Sequence, residues 1–181
     1  MKTAWGEVEM KFAETPTDET MPTTMETIGE ILEGSLGLEK EDGTKLQLFK
    51  EGHILVDELQ QEPTLKVKAT IIGIPDAIKE KFWETEKTGT GDAEKFAVKS
   101  LVNSKKFAIA FAAVKVPGSD TFEAMKCTIS MSPLYSSTQG WTSDVEITMI
   151  KGLTGKLFQF GKVPAAGGFA PMSAPVSGGG K

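Results

Sequence analysis

Apolar and polar residues alternate with a period of two along most of this chain. From Trp5 to Phe12, Val8, Met10 and Phe12 fall on one side, and Glu7, Glu9 and Lys11 on the other. Thr64–Ile71 repeats the pattern, with Leu65, Val67, Ala69 and Ile71 set against Thr64, Lys66, Lys68 and Thr70. Val145, Ile147 and Met149 alternate with Glu146 and Thr148, and "KLFQFGKV" makes a last short run. Successive side chains of a strand point to opposite faces, so each run predicts a strand with one buried and one wet face. Lys106–Val116 is apolar on both faces, with Phe107, Ile109 and Phe111 interleaved with Ala108, Ala110 and Ala112. That predicts a central strand whose alanine face admits a close neighbour. Glu94–Asn103 reads as a strand beside it. In Phe122–Met131 the apolar parity switches between Ala124 and Cys127, which predicts a bulge near Met125. One stretch departs from the period. "DAIKEKFWETEK", from Asp76 to Lys87, spaces Ile78 and Phe82 four apart behind a capping Asp76, which predicts a helix ended by "TGTGD". This helix is the natural candidate to lie on the alanine face, with Trp83 turned to an exposed or interface side.

Two segments lack a simple period. Ala13–Thr27, "AETPTDETMPTTMET", is rich in Thr, Pro and acids, and its length predicts a functional arm or a disordered segment. In "LGLEKEDGTKLQLF", Leu36–Phe49, Asp42-Gly43 marks a hairpin. A two-residue turn would oppose Lys40 to Lys45. A three-residue loop of Glu41, Asp42 and left-handed Gly43 pairs Leu38 with Leu46, Leu36 with Leu48, and Glu39 with Lys45. Favourable cross-strand pairs contribute roughly 0.2–1 kcal/mol each, so the three-residue loop is expected. The result would be a projecting hairpin whose acidic tip meets a neighbour. Glu51-Gly52 marks another turn before "HILVDEL". Pro164–Lys181 is rich in Gly, Pro, Ala and Ser and reads as a second arm. The expected layout is one domain over residues 1–163, with an arm at 13–27, followed by the arm at 164–181. Its fold class is mainly β: an antiparallel β-sandwich or barrel with one flanking α-helix.

Composition narrows the function. A chain of 181 residues is long enough for one domain with a sizeable core. No apolar run approaches the ~20 residues that span a bilayer. The N-terminus lacks the apolar core of a signal peptide, so synthesis and assembly in the cytoplasm are expected. Twenty lysines stand against no arginine, and His53 is the single histidine. Phosphate recognition draws on the bidentate arginine fork, and hydrolytic or metal chemistry draws on histidine. Both absences point away from an enzyme. Residues 1–60 hold 5 Lys and 14 acids, net −9; residues 61–181 hold 15 Lys and 11 acids, net +4. Such a split suits an acidic part that meets a basic part of a neighbour, or a face that repels polyanions.

The candidate chemistries fail on spacing. With Gly43 at position 6 of a calcium loop, the ligand positions fall on Leu38, Lys40, Asp42 and Phe49, and only Asp42 fits. His53 is close to Asp57 and Glu58 but has no partner histidine or cysteine, and reads as a surface residue. "GLTGKL" at 152–157 lacks the first glycine and the hydroxyl residue of a phosphate loop, and "TGTGDAEK" lacks the third glycine of a dinucleotide fingerprint. No Gly-x-Ser-x-Gly elbow surrounds any serine. Cys127, inside an alternating strand, reads as a small buried hydrophobe. Lys105-Lys106 and Lys66/Lys68 are the best basic clusters for nucleic acid, and they read more simply as solvated strand faces. No catalytic residue, cofactor site or metal site is expected.

The order of elements is itself informative. A Gly-Ser-Leu strand with an acidic Asp-Gly turn ("EGSLGLEKEDGTKLQLFKEG", 33–52) precedes the alternating "TLKVKATIIG". A short helix follows midway, then "WTSDVEITMIKG", with arms at both ends. This organisation resembles the major tail tube proteins of tailed bacteriophages and the related tube protein of type VI secretion, over roughly residues 5–163. The resemblance implies a virion structural protein in the tail. Its subunits would form stacked hexameric rings around a channel through which phage DNA passes without specific binding, with tape measure or sheath proteins as partners and no membrane. On this reading the 13–27 arm and the 36–49 hairpin make the inter-ring or inter-subunit contacts, with Glu39, Glu41, Asp42, Gly43, Lys45 and Trp83 as the expected interface residues and the 164–181 tail as a second arm. Lys66 and Lys68 sit awkwardly with a lumen that repels DNA. The alternatives are another phage structural protein (decoration or neck), a secretion-tube homologue, or a soluble ligand-binding β-sandwich.

Overall fold

The computed structural model describes residues 7–51, 53–89, 95–101, 104–113, 118–138 and 140–162. Trp5 and the 164–181 arm lie outside these residues. The fold is mainly β, built on one large antiparallel sheet. Its strands are β1 (Val8–Glu14), β2 (Glu26–Thr27), β3 (Glu30–Ile31), β4 (Gly37–Glu41), β7 (Thr64–Ile72), β10 (Phe107–Ala113), β11 (Asp120–Ser136), β12 (Gly140–Met149) and β13 (Gln159–Lys162). Two separate ribbons accompany it: β5 (Lys45–Lys50) with β6 (Ile54–Gln60), and β8 (Glu84–Thr88) with β9 (Lys95–Ser100). The helix α1 spans Asp76–Phe82.

The main path runs β2-β1-β10-β11-β12-β7-β3, and β4 extends along β7 beside β3. Because β2 and β3 are two residues apart in sequence, residues 26–31 pair with β1 at one edge and with β7 at the other. The sheet therefore curls until one interrupted strand bridges its edges, although no unbroken ladder closes a barrel. The interruption is at Gly29, where a Cβ would fall 2.6 Å from a methyl of Ile71 and the φ is +149°. Only glycine tolerates both conditions.

Inside the curl lies one apolar cluster formed by the inward-facing residues of β1, β7, β10, β11 and β12. It includes Met10, Phe12, Val67, Ile71, Ile109, Val145 and Ile147, at positions where the alternating pattern puts apolar side chains. The helix closes it. Phe82 sits 4.8 Å from Phe12 and 5.1 Å from Phe107, ring centre to ring centre. The bulge is where the parity switch placed it: Phe107 pairs with Cys127 and Ile109 with Ala124, so Met125 and Lys126 face the single Ala108.

Five expectations are corrected. The helix stops at Phe82, because residues 84–88 pair with β9. Asp76 lies inside the first turn bonded to Lys79, and Pro75 holds the cap position. The 95–100 strand belongs to that ribbon and is not a neighbour of β10. The helix packs on the phenylalanine side of β10, and the alanine side is covered by residues 15–25. That segment is therefore no projecting arm. Ala13 and Glu14 continue β1, Thr15 bonds to Lys106 and Met125, and Met21 is buried over Ala108, Ala110 and Ala112. Alanines leave a shallow face, which a non-periodic strip of chain with two methionines fills better than a helix would.

Candidate assembly surfaces

The predicted hairpin exists one element later than its sequence signal. Strand β4 pairs with β7, placing Glu39 beside Lys66 and Leu38 beside Val67, and never meets β5. The real hairpin is the one that pairs β5 with β6, ending at Lys50 opposite Ile54. His53 adopts φ +58°, in the left-handed region where histidine is enriched among non-glycine residues. This gives the lone histidine a backbone role. Gly43 is needed for a different reason from the one its neighbours implied. It is not left-handed; instead a Cβ there would collide with the Gln61 carbonyl as the chain passes from β4 to β5. Gln61 N–H in turn donates to Thr44 O at 3.1 Å.

The β5–β6 ribbon is exposed along its whole length. Leu46 stands opposite Leu59, and Leu48 is two residues on, so these three share a face. Leu48 and Leu59 are 63% and 64% exposed. The register then shifts, and Phe49 opposes Leu55 near the turn, with Ile54 and Val56 beside them. Seven large apolar side chains are thus open to solvent on two strands of six and seven residues. On the base of the ribbon, Lys45 pairs with Glu58 at 3.1 Å, and Gln47 donates to the same carboxylate at 2.7 Å, which holds the Glu58 carboxyl below its ordinary range. Among the described elements, β5 and β6 pack only on each other. An isolated two-stranded ribbon is marginal in water, so this one lacks the packing that a third strand or helix would supply.

The acids singled out in the sequence are dispersed. Glu39 reaches Lys68 at 2.8 Å and Glu41 reaches Lys66 at 2.9 Å, both across the sheet, while Asp42 pairs with Lys40 at 2.7 Å. The Lys66 ammonium bonds to Glu41 and depresses its carboxyl, and Lys40 does the same to Asp42. Lys66 and Lys68 are raised in turn, Lys66 by Glu41 and Glu146, Lys68 by Glu39. Lys66 is half-buried and its carboxylate partners are solvent-exposed, and such pairs contribute little stability individually. Lys45 belongs to the ribbon and not to Glu39. Trp83 is buried, its indole N–H donating to Met131 O at 2.8 Å, so it faces the core and not a neighbour.

Together the outward residues of four strands form a polar face. Glu39 and Glu41 on β4, Lys66, Lys68 and Thr70 on β7, Asp144, Glu146 and Thr148 on β12, and Thr128, Ser130 and Ser132 on β11 all lie on it. It carries four carboxylates and two lysines, a net of −2, and both lysines are engaged by carboxylates. Paired in this way, Lys66 and Lys68 offer no open basic patch.

A second apolar feature was not legible. The β11–β12 hairpin continues to Ser136, exposing Leu134, Tyr135 and Trp141, the last two with ring centres 5.1 Å apart. Pro133 makes the sequence read as a strand end, yet it sits in β11 paired with Ser143. Past Cys127, β11 has no partner on its β10 side, so an edge position tolerates the missing N–H.

Among the described residues, no three His, Cys, Asp or Glu side chains are grouped as a metal site requires. Cys127 is buried with its thiol on the Phe107 carbonyl, and burial pushes its pKa up, the reverse of an activated nucleophile. No described helix is long and apolar enough to cross a membrane. No protein-family model and no curated protein matches the chain.

Proposed function

We propose that this protein is a self-assembling structural subunit, a tail tube protein of a tailed bacteriophage whose hexameric rings stack into a conduit for DNA. The observation that carries the reading is the β5–β6 ribbon: seven exposed apolar side chains on an element that packs on no other described element. Apolar surface of that extent on a projecting element marks an interface, and a second copy is the partner that a repeating structure supplies. The net-negative, hydroxyl-rich face of β4, β7, β12 and β11 supports the conduit half of the proposal, since a polyanion slides past a surface that offers it no free cation. In this reading the protein acts in the virion tail after assembly in the host cytoplasm, with tape measure or sheath proteins as further partners, and performs no catalysis.

The test is assembly itself. Purified protein should form six-membered rings or tubes under negative-stain electron microscopy as concentration rises. The double variant Leu48→Asp, Leu59→Asp should remain folded by circular dichroism and stay monomeric by light scattering. A wild-type protein that is monomeric at every concentration would overturn the proposal, as would a double variant that assembles normally.

A further inference from the structure

Glu19 is out of place by ordinary rules. It is a carboxylate only 8% exposed, and it adopts φ +52°, a conformation that non-glycine residues seldom take. It is fixed from two sides. Lys126 Nζ on β11 donates to Oε1 at 2.5 Å, and the backbone N–H of Leu153 donates to Oε2. Gly152 leaves the space: a Cβ there would fall 2.9 Å from Oε2. A turn bond from Glu19 N–H to Pro16 O, at 2.9 Å, sets the carboxylate in this position. One side chain thus ties residues 15–25 both to the bulge of β11 and to the loop after β12.

Beyond the two Thr15 hydrogen bonds at its start, the segment so tied has little else to hold it. Its apolar contribution is Met21, buried, and Met25, half-buried, over Ala108, Ala110, Ala112 and Met125. We propose that residues 15–25 are a releasable strap over the alanine face of β10, clasped by the Glu19 carboxylate, and that protonation of this one group opens the strap while the sheet beneath stays folded.

The charged groups around the clasp assign the switch to Glu19. Lys126 is its direct partner from β11. On the loop after β12, Lys151 is bonded to Glu62, and Lys156 contributes its backbone carbonyl to Gly152. On the strap, Asp18 is turned toward Thr20. At the two ends, Glu14 pairs with Lys105 and Glu26 with Lys81, both at exposed positions. The Lys126 hydrogen bond and then the Leu153 N–H hold the Glu19 carboxyl below its ordinary 4.5, against an opposing push from burial. A depressed folded-state value means that the clasp is fully effective above about pH 4.5 and is lost as pH falls through the lowered value.

Hydrogen exchange by mass spectrometry tests this, with rates corrected for intrinsic pH dependence. For the wild type, protection of peptides covering 15–25 should fall several-fold, up to about tenfold, between pH 7 and pH 3.5, while peptides from β11 and β12 keep theirs. Glu19→Gln should show the open-strap pattern already at pH 7, where the exposed end pairs remain ionised, and should lose the pH dependence. Lys126→Met should loosen the strap in the same way. Strap protection in Glu19→Gln equal to wild type at pH 7 would overturn the proposal, as would core and strap opening together in that variant. Neither outcome depends on whether the protein forms tubes.

Discussion

Gly43 shows what a single residue can carry in this fold. As part of an Asp-Gly pair it advertises a turn, and the chain does change course there, but the demand is for space and not for handedness. The Gln61 carbonyl lies where a side chain would begin, and backbone cannot yield as a flexible side chain can. Gly43→Ala should therefore destabilise the domain by about 1–3 kcal/mol, measured by urea denaturation. A surface turn glycine free of that contact would show a change of a few tenths. The sequence could not reveal this, because the residue that matters lies eighteen positions further on. Residues whose role is set by their own strand were legible: Cys127 as a buried small side chain and the bulge at Met125–Lys126 both follow from local parity. Glu39, Lys45 and Trp83 were not, since their partners Lys68, Glu58 and Met131 are chosen by which strands come together.

At the level of elements, α1 is the one that the sequence could propose but not delimit. Seven residues are too few for a stable helix in water, so its existence depends on what it buries. Ile78 and Phe82 face the core, and Phe82 joins Phe12 and Phe107 in a group of three rings. Phe82→Ala should cost about 3–5 kcal/mol, read from the denaturation midpoint, with the helical and strand signals lost in one transition. A helix that melts separately while the sheet persists would show that the three rings do not couple it to the core. The same dependence explains where periodicity succeeded and where it failed. Strands that bury one face, such as β1, β7 and β12, announce themselves through that face. Among the described residues the β5–β6 ribbon buries neither face and the β8–β9 ribbon meets the core through Phe96, so their alternation could not say which strand would be their neighbour. The hairpin signal at Asp42-Gly43 was therefore attached to the wrong pair of strands, and the acidic tip expected there became the base of a ribbon whose far end pairs Lys50 with Ile54.

For the whole molecule, two sources of association compete, and their response to salt separates them. The chain is lopsided in charge, net −9 over residues 1–60 and +4 over the remainder; the fold already pairs Glu14, Glu26, Glu39 and Glu41 with lysines of the second part, and exposed charges of either sign offer copies an electrostatic route to association. It also projects seven apolar side chains on one ribbon. Screening shortens the reach of exposed charges from about 10 Å at 0.1 M salt to about 3 Å at 1 M, and exposed ion pairs contribute at most about 1 kcal/mol each even at low salt. Fully burying a leucine-sized side chain contributes about 1.5–3 kcal/mol, and salting-out anions strengthen the effect. Several such side chains outweigh the rim charges, so assembly driven by the ribbon should survive 1 M NaCl with at most a few-fold loss in association constant and should increase in ammonium sulfate. Sedimentation velocity across a salt series gives the answer directly. Complete dissociation by 1 M NaCl would shift the interface from the ribbon to the charged faces, and with it the reason for so much exposed apolar surface on β5 and β6.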